Sequence, residues 1–327
     1  MIGLWLVAIL TLFAVGLGHR SSINLRLASF QRDRLKAGLL IKAGIQKAIS
    51  LLNNDRNEYD SLNETWSTGI DPETKEALLE NVELKKGSRE AFTLHMADEE
   101  RRININQVNT DLKKQLLVTL FESQGIENPE GLKDLFCDWV DADPEPADSE
   151  KVYKNSSLEF PQELMLILEF FYKSKGETEA LKKAQENYES IKDFITVYTE
   201  GKVNINTVSL ELLKILTDAV VRQMEAQGIT DLATEAQMQE LLNLIFNFRE
   251  EGKVFTKVND AVKDLRVEPT DKKAQIINFL IAQDLISVSS QYFSIEAIGL
   301  INNKAVKRAA AVFKRDEPQR ILYWHEN

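Results

Sequence analysis

Met1-Ile-Gly-Leu-Trp-Leu-Val-Ala-Ile-Leu-Thr-Leu-Phe-Ala-Val-Gly-Leu-Gly18 holds no charge, and Thr11 is its only clearly polar side chain. As a helix this stretch would reach about 27 Å, close to the ~30 Å of a hydrocarbon core. A cleaved signal peptide would place basic residues before the apolar run. Here they come after it, at Arg20, Arg26, Arg32, Arg34 and Lys36. A buried core helix is the other alternative, and so pure an apolar run is unusual for one at a terminus. The stretch reads as a membrane anchor. Taken alone, the basic residues after it would be placed in the cytoplasm by the positive-inside rule.

The helix does not stop at Gly18. No proline occurs from Ser21 to Leu52. Apolar residues recur at Ile23, Leu27, Phe30, Leu35, Leu39, Ala43, Ile45, Ile49 and Leu52, mostly at helical steps. The spacing predicts one helix of about fifty residues, half in lipid and half amphipathic, its apolar face packed on the downstream chain. The alternative is an anchor joined to a separate basic linker. Phe13, Ile23, Leu27 and Phe30 are the candidate assembly residues, for packing helix against helix.

The rest of the chain is ordinary globular material. It has 327 residues, 43% hydrophobic and 28% charged, which excludes wholesale disorder. Cys137 is the only cysteine, so neither an intrachain disulfide nor a four-cysteine zinc site exists. Residues 1–50 carry seven Lys/Arg and one acid, a net of +6. The remaining residues carry 33 Lys/Arg and 50 Asp/Glu, a net of −17. So acidic a body suits nucleic acid poorly, because phosphates demand cations.

Two similar segments lie in the middle, Arg102-Ile-Asn-Ile-Asn-Gln-Val-Asn-Thr-Asp-Leu112 and Lys202-Val-Asn-Ile-Asn-Thr-Val-Ser-Leu-Glu-Leu212. Asn104 and Asn106 match Asn204 and Asn206 at a constant offset. In each, Ile or Val would point into a core from an extended segment, while Asn bonds nearby backbone and ends the strand. Asn109 and Ser209 are the expected caps of helices starting at Thr110 and Leu210. Helical runs come next in pairs, Leu112–Phe121 with Pro129–Val140 and Leu210–Met224 with Thr234–Phe248. These pairs resemble helix-hairpin-helix modules. Each has one hairpin glycine, Gly125 or Gly228, and neither has the Gly-rich turn that would approach a phosphate. They are read as structural.

Between the copies, Asp138-Trp-Val-Asp141-Ala-Asp143-Pro-Glu145-Pro-Ala-Asp148-Ser-Glu150 sets six carboxylates in thirteen residues. Two readings stand. The loop is solvated, or its hard oxygen ligands hold calcium. The spacing is not that of an EF-hand. Trp139 is expected to pack beneath the loop.

The C-terminal part reads as β. Gln291–Gly299 alternates and Asn302-Asn303 gives a turn. Ala305–Arg315 could by period alone be a short helix, but after such a turn it reads as the returning strand, and Arg320–Trp324 is a last apolar strand. The strand Ala91–Met96 would join them. The expected fold is α+β, a long N-terminal transmembrane and amphipathic helix packed on a small antiparallel sheet. A large inserted helical domain would carry two helix-hairpin-helix-like repeats. The expected organisation is anchor 1–18, amphipathic continuation 19–52, first part of the head 53–101, helical insertion 102–285 with repeats near 102–150 and 202–266, and terminal strands 286–327. No catalytic constellation is found. His19, His95 and His325 are scattered, and no nucleophile elbow, zinc-protease or phosphate-loop motif occurs.

Taken in order, these parts resemble a type IV pilin-like protein with a helical insertion. Asp98-Glu-Glu100 before Ile-Asn-Ile-Asn, Asp138-Trp139-x-Asp141-Ala-Asp143, Val203-Asn-Ile-Asn-Thr207 and Ile321-Leu-Tyr-Trp324 narrow the resemblance. So do Gln31-Arg-Asp-Arg34 and Lys42-Ala-Gly44. They are similar to the general secretion pathway K family, the large minor pseudopilins of type II secretion. The resemblance implies a non-enzymatic protein of the inner membrane, single-pass, with its head in the periplasm. It implies partners as well: two other minor pseudopilins at the pseudopilus tip, the major pseudopilin, and prepilin peptidase as processing enzyme. No nucleic acid is expected. Most pilin-like subunits carry a Glu early in the mature helix, and this family lacks it. Here no acid precedes Asp33. A tip subunit has nothing above it to pair such a buried charge.

Two departures stand out. No basic leader precedes Met1, so the chain is expected to start a few residues late, and a restored leader would resolve the orientation. The family's Gly-Ala-Glu stretch, which helps form calcium sites, reads Ala147-Asp-Ser-Glu150 here. The competing reading is a membrane-anchored helix-hairpin-helix DNA-binding protein of the competence type.

Overall fold

A computed structural model of the chain describes residues 2–141, 153–316 and 318–327. Helix α1 runs unbroken over Ile2–Asn54. From its C-terminal end a short helix, α2 (Thr65–Thr68), and a two-residue edge strand, β1 (Val82–Glu83), lead into β2 (Glu90–Asp98). Strand β2 is the first long strand of the sheet. The chain then leaves the sheet for a helical body and returns in β7 (Tyr292–Ile301), β8 (Lys304–Lys314) and β9 (Arg320–Glu326). The sheet is antiparallel throughout, in the order β1-β2-β7-β8-β9. Asn302 and Asn303, both at positive φ, close the β7–β8 hairpin as the Asn-Asn pair predicts.

The inner half of α1 lies across the sheet. Ala37, Leu40, Ile41, Ile45, Ala48 and Leu52 are buried against Phe92, Leu94, Phe293, Ile295, Ala297 and Phe313. Trp66 closes this core, edge-on to Phe293 at 5.2 Å. Two glycines set the helix-to-sheet distance. A Cβ on Gly299 would lie 2.6 Å from the Ala37 carbonyl oxygen, and one on Gly44 would lie 3.0 Å from Phe92 and Leu94. The buried stripe differs from the expected one. Leu35 and Leu39 are about two-thirds exposed or more and lie outside the buried core.

The helical body contains two units with the same order of parts. The first is β3 (Ile103–Asn104), α3 (Asp111–Ser123), α4 (Pro129–Val140), α5 (Leu164–Ser174), α6 (Ala180–Ile191) and β4 (Ile195–Thr196). The second is β5 (Val203–Asn204), α7 (Leu210–Ala226), α8 (Glu235–Glu250), α9 (Ala261–Asp264), α10 (Lys272–Ala282) and β6 (Ile286–Ser287). In each unit the first strand pairs in parallel with the last, Ile103 opposite Ile195 and Val203 opposite Ile286. One continuous core joins them, with Leu116, Leu120 and Phe121 of the first unit and Leu213, Leu216 and Val220 of the second buried in it.

The Asn motif works the same way in both units. Asn106 donates to the Leu158 carbonyl and accepts from the Leu158 amide, both at 2.9 Å. Asn206 makes the same pair of bonds with Phe255, again at 2.9 Å. Asn104 and Asn204 each accept from the amide two residues on. The asparagines are not turned to water. Asn104, Asn204 and Asn206 are buried. One expected cap is corrected: α3 is capped by Thr110, whose hydroxyl accepts from the Lys113 amide, and not by Asn109. Ser209 caps α7 as expected.

Candidate assembly surfaces

No described residue of the chain covers the outer part of α1. Trp5, Leu6, Val7, Ile9, Leu10, Leu12 and Phe13 are all exposed, and so are Ile23, Leu27 and Phe30. This helix is long and apolar enough to cross a membrane. Periodicity gives the second group a direction. Ile23, Phe30, Ala37 and Gly44 succeed each other at steps of seven. The stripe that holds the sheet therefore continues along the shaft beyond the sheet's edge, uncovered by the described residues. The four assembly candidates thus lie on uncovered helix, Phe13 in the apolar N-terminal stretch and the other three on the extended stripe.

A buried polar joint ties the sheet to the helical body. Asp98, at the end of β2, accepts from the Glu100 amide at 2.7 Å. Its other oxygen accepts from Thr207 Oγ1 at 2.5 Å, Ser290 Oγ at 2.6 Å and Asn204 Nδ2 at 3.2 Å. Burial still pushes this carboxyl up to about 6. Next to it Asp60 accepts from both arms of Arg315, at 3.0 and 2.7 Å, and from the Ser290 amide at 2.6 Å. Burial raises Asp60 and Arg315 opposes the rise. Glu100 accepts from the Gln291 amide at 3.1 Å. Burial, then the nearby Asp98 charge, pushes it up to about 8. The sequence reading missed this joint. Its one available signal was Asp98-Glu99-Glu100 standing before the Asn motif.

Asp55, Asp60 and Glu64 come close enough to share a cation. One guanidinium offsets part of their charge, because Arg315 holds Asp60 and lies 3.7 Å from Asp55. Glu64 accepts from Asn57, the Ser61 amide and Trp66 Nε1. These carboxylates serve as local caps.

The acidic loop is placed only in part. Asp138 lies on the last turn of α4, and Asp141 is its C-cap. Asp143, Glu145, Asp148 and Glu150 fall outside the described residues. Trp139 packs against Tyr153 and Phe170 at 5.9 and 5.8 Å, at the foot of the loop. Cys137 is half-buried, and burial pushes its thiol up.

Known proteins give this arrangement a context. No protein-family profile matches the chain. Its sequence is 27% identical over 247 residues to the type II secretion system protein K of Pseudomonas aeruginosa strain PAO1, covering 70% of this chain and 69% of that protein. The resemblance is to secretion protein K. In three dimensions the chain is similar to one in the crystal structure of the GspK-GspI-GspJ complex from the enterotoxigenic Escherichia coli type 2 secretion system. That match has a TM-score of 0.59 at 16% identity and covers 92% of this chain and 99% of that one. At that identity the likeness speaks for the fold. The likeness to secretion protein K, read first from the Asn motifs, Asp138-Trp139 and Ile321–Trp324, thus holds in sequence and in fold. The long helix, the helical body and the antiparallel sheet all belong to it.

Proposed function

We propose that the chain is a minor pseudopilin of a type II secretion system, acting at the pseudopilus tip through protein contacts and not through catalysis. The observation that carries this reading is the apolar stripe of α1, which holds the chain's own sheet at Ala37–Gly44 and runs on uncovered through Phe30, Leu27 and Ile23. A helix of that build seats itself beside other helices of its kind. The likeness to secretion protein K supports the assignment to a secretion apparatus, and the GspK-GspI-GspJ complex supports two other minor pseudopilins as partners. In this reading residues 1–18 anchor the protein once in the inner membrane, the amphipathic part is 19–52, and the head formed by 53–101 and 286–327 stands in the periplasm with the insertion 102–285. The major pseudopilin meets the shaft, and prepilin peptidase processes the N-terminus. The pairs α3/α4 and α7/α8 are helix-hairpin-helix-like supports for the core. The acidic loop offers an all-oxygen donor set that suits calcium.

The test is co-purification of the full chain in detergent with the two candidate partner pseudopilins of the same system, with and without calcium. A stable three-way complex is the expected result. Calcium dependence of that complex would assign the loop to the metal. Absence of a complex in both conditions would overturn the reading. The competing DNA-binding reading has support only in the paired helices that lie downstream of an anchor.

A further inference from the structure

The sheet ends on β9, whose outer edge is unpaired among the described residues. Natural edges are blunted by charge, proline or brevity. The opposite edge, β1, is two residues long. β9 spans seven residues, and Ile321-Leu-Tyr-Trp324 at its centre carries no charge. Ile321 and Trp324 are exposed.

A groove flanks this edge on each face. Trp324 and Glu326 stand opposite Ala311 and Ala309, on the face covered by α1. There a groove runs between Glu326 and α1, with Leu35, Gly38 and Leu39 along it, while Trp324 borders the groove on the other face. Tyr323 stands opposite Val312 on the other face and meets Phe160 edge-on at 5.6 Å. There a second groove runs between β9 and the helical body, past Phe160 and Leu166. Side chains of an extended segment point alternately to opposite faces. A strand added at β9 would therefore lay its side chains into the two grooves by turns, while its main chain took up the unpaired edge. The α1 groove also carries Arg34 and Lys42, neither in an ion pair among the described residues, whereas Lys307 is held by Glu326 at 2.5 Å.

We infer that β9 accepts a strand from another protein, an extended segment with alternating apolar side chains and a carboxylate on the side facing α1. The inference deepens the pseudopilin reading and rests on it, since the donor is then the head of a neighbouring minor pseudopilin.

The experiment is hydrogen exchange on the full chain in detergent, alone and with the two candidate partners. Free, the outward amides of β9 are expected to exchange fast, because no described strand pairs with them. In the complex they are expected to slow by roughly tenfold or more, and Ile321→Lys and Trp324→Lys are each expected to weaken the complex by roughly tenfold. Both positions are exposed, and unchanged exchange in the buried sheet core will show that the variants fold. A complex that forms without slowing β9 overturns the strand addition and leaves the pseudopilin reading standing. Protection of β9 that rises with the chain's own concentration, without partners, assigns the edge to a second copy and overturns the proposal. Failure of any complex removes both.

Discussion

Asn206 shows how much one amide can hold. It closes a reciprocal pair with Phe255 in the middle of the helical body, and both partners are buried. Removing it leaves a buried amide and a buried carbonyl unmatched, which costs more than the bonds themselves contribute. Asn206→Ala is expected to lower stability by about 2–3 kcal/mol in urea unfolding. Asn106→Ala should cost less, because Asn106 is only half-buried. Glu100 gives a second residue-scale expectation. Its carboxyl moves from an ordinary 4.5 up to about 8 on folding. The folded state then binds more protons than the unfolded one between those values, so this contribution is complete below about 4.5 and is lost as pH rises to about 8. Glu100→Gln keeps the acceptor for the Gln291 amide and removes the titration. Melting temperatures of the variant should fall less between pH 5 and 8 than those of the parent, and a parallel fall would contradict the assignment. Sequence alone could show that the asparagines recur. It could not show what they bond, because Leu158, Phe255 and Ser290 lie far along the chain.

At the scale of elements, α1 was legible in its length and only partly in its faces. Apolar spacing marks a helix, yet Leu35 and Leu39 share that spacing and lie outside the core, since small residues make the closest contact. Ala37 and Gly44 are positions where sheet and helix approach closely. A hydrophobicity pattern gives such residues little weight. Gly299→Ala tests the contact, because the new methyl would press on the Ala37 backbone. We expect a loss of about 1–3 kcal/mol, measured by thermal unfolding, with α1 residues 37–48 losing hydrogen-exchange protection first. The outer end of the same helix has a different test. Phe13→Arg sets a charge in the apolar stretch and should abolish membrane retention or assembly, read by fractionation and by secretion. Normal secretion in that variant would contradict the role given to the stretch. The terminal hairpin was legible from the alternation of its first strand and from its Asn-Asn turn, since Ala305–Arg315 has by its period alone the look of a short helix. The two parallel ladders were not, because a two-residue strand has no period to read.

Across the whole molecule the charge is divided, with a basic shaft and an acidic body. Duplex DNA at low salt should show no shift with this chain, and a shift with a steep salt dependence would revive the anchored DNA-binding reading. The polar joint has one more consequence, and it concerns time. Its members come from Asp60, Asp98, Asn204, Ser290 and Arg315, so they span positions 60 to 315 of the 327 residues. Strand β2 has only the short β1 beside it until β7 arrives, and 197 residues separate Ala97 from the Ser294 that bonds it. The helical body closes its own units through β3 with β4 and β5 with β6 before that happens. During synthesis the insertion can thus fold while the sheet around it is still half made. The C-terminal strands then act as a latch, and Arg315 reaches Asp60 only once nearly the whole polypeptide has emerged.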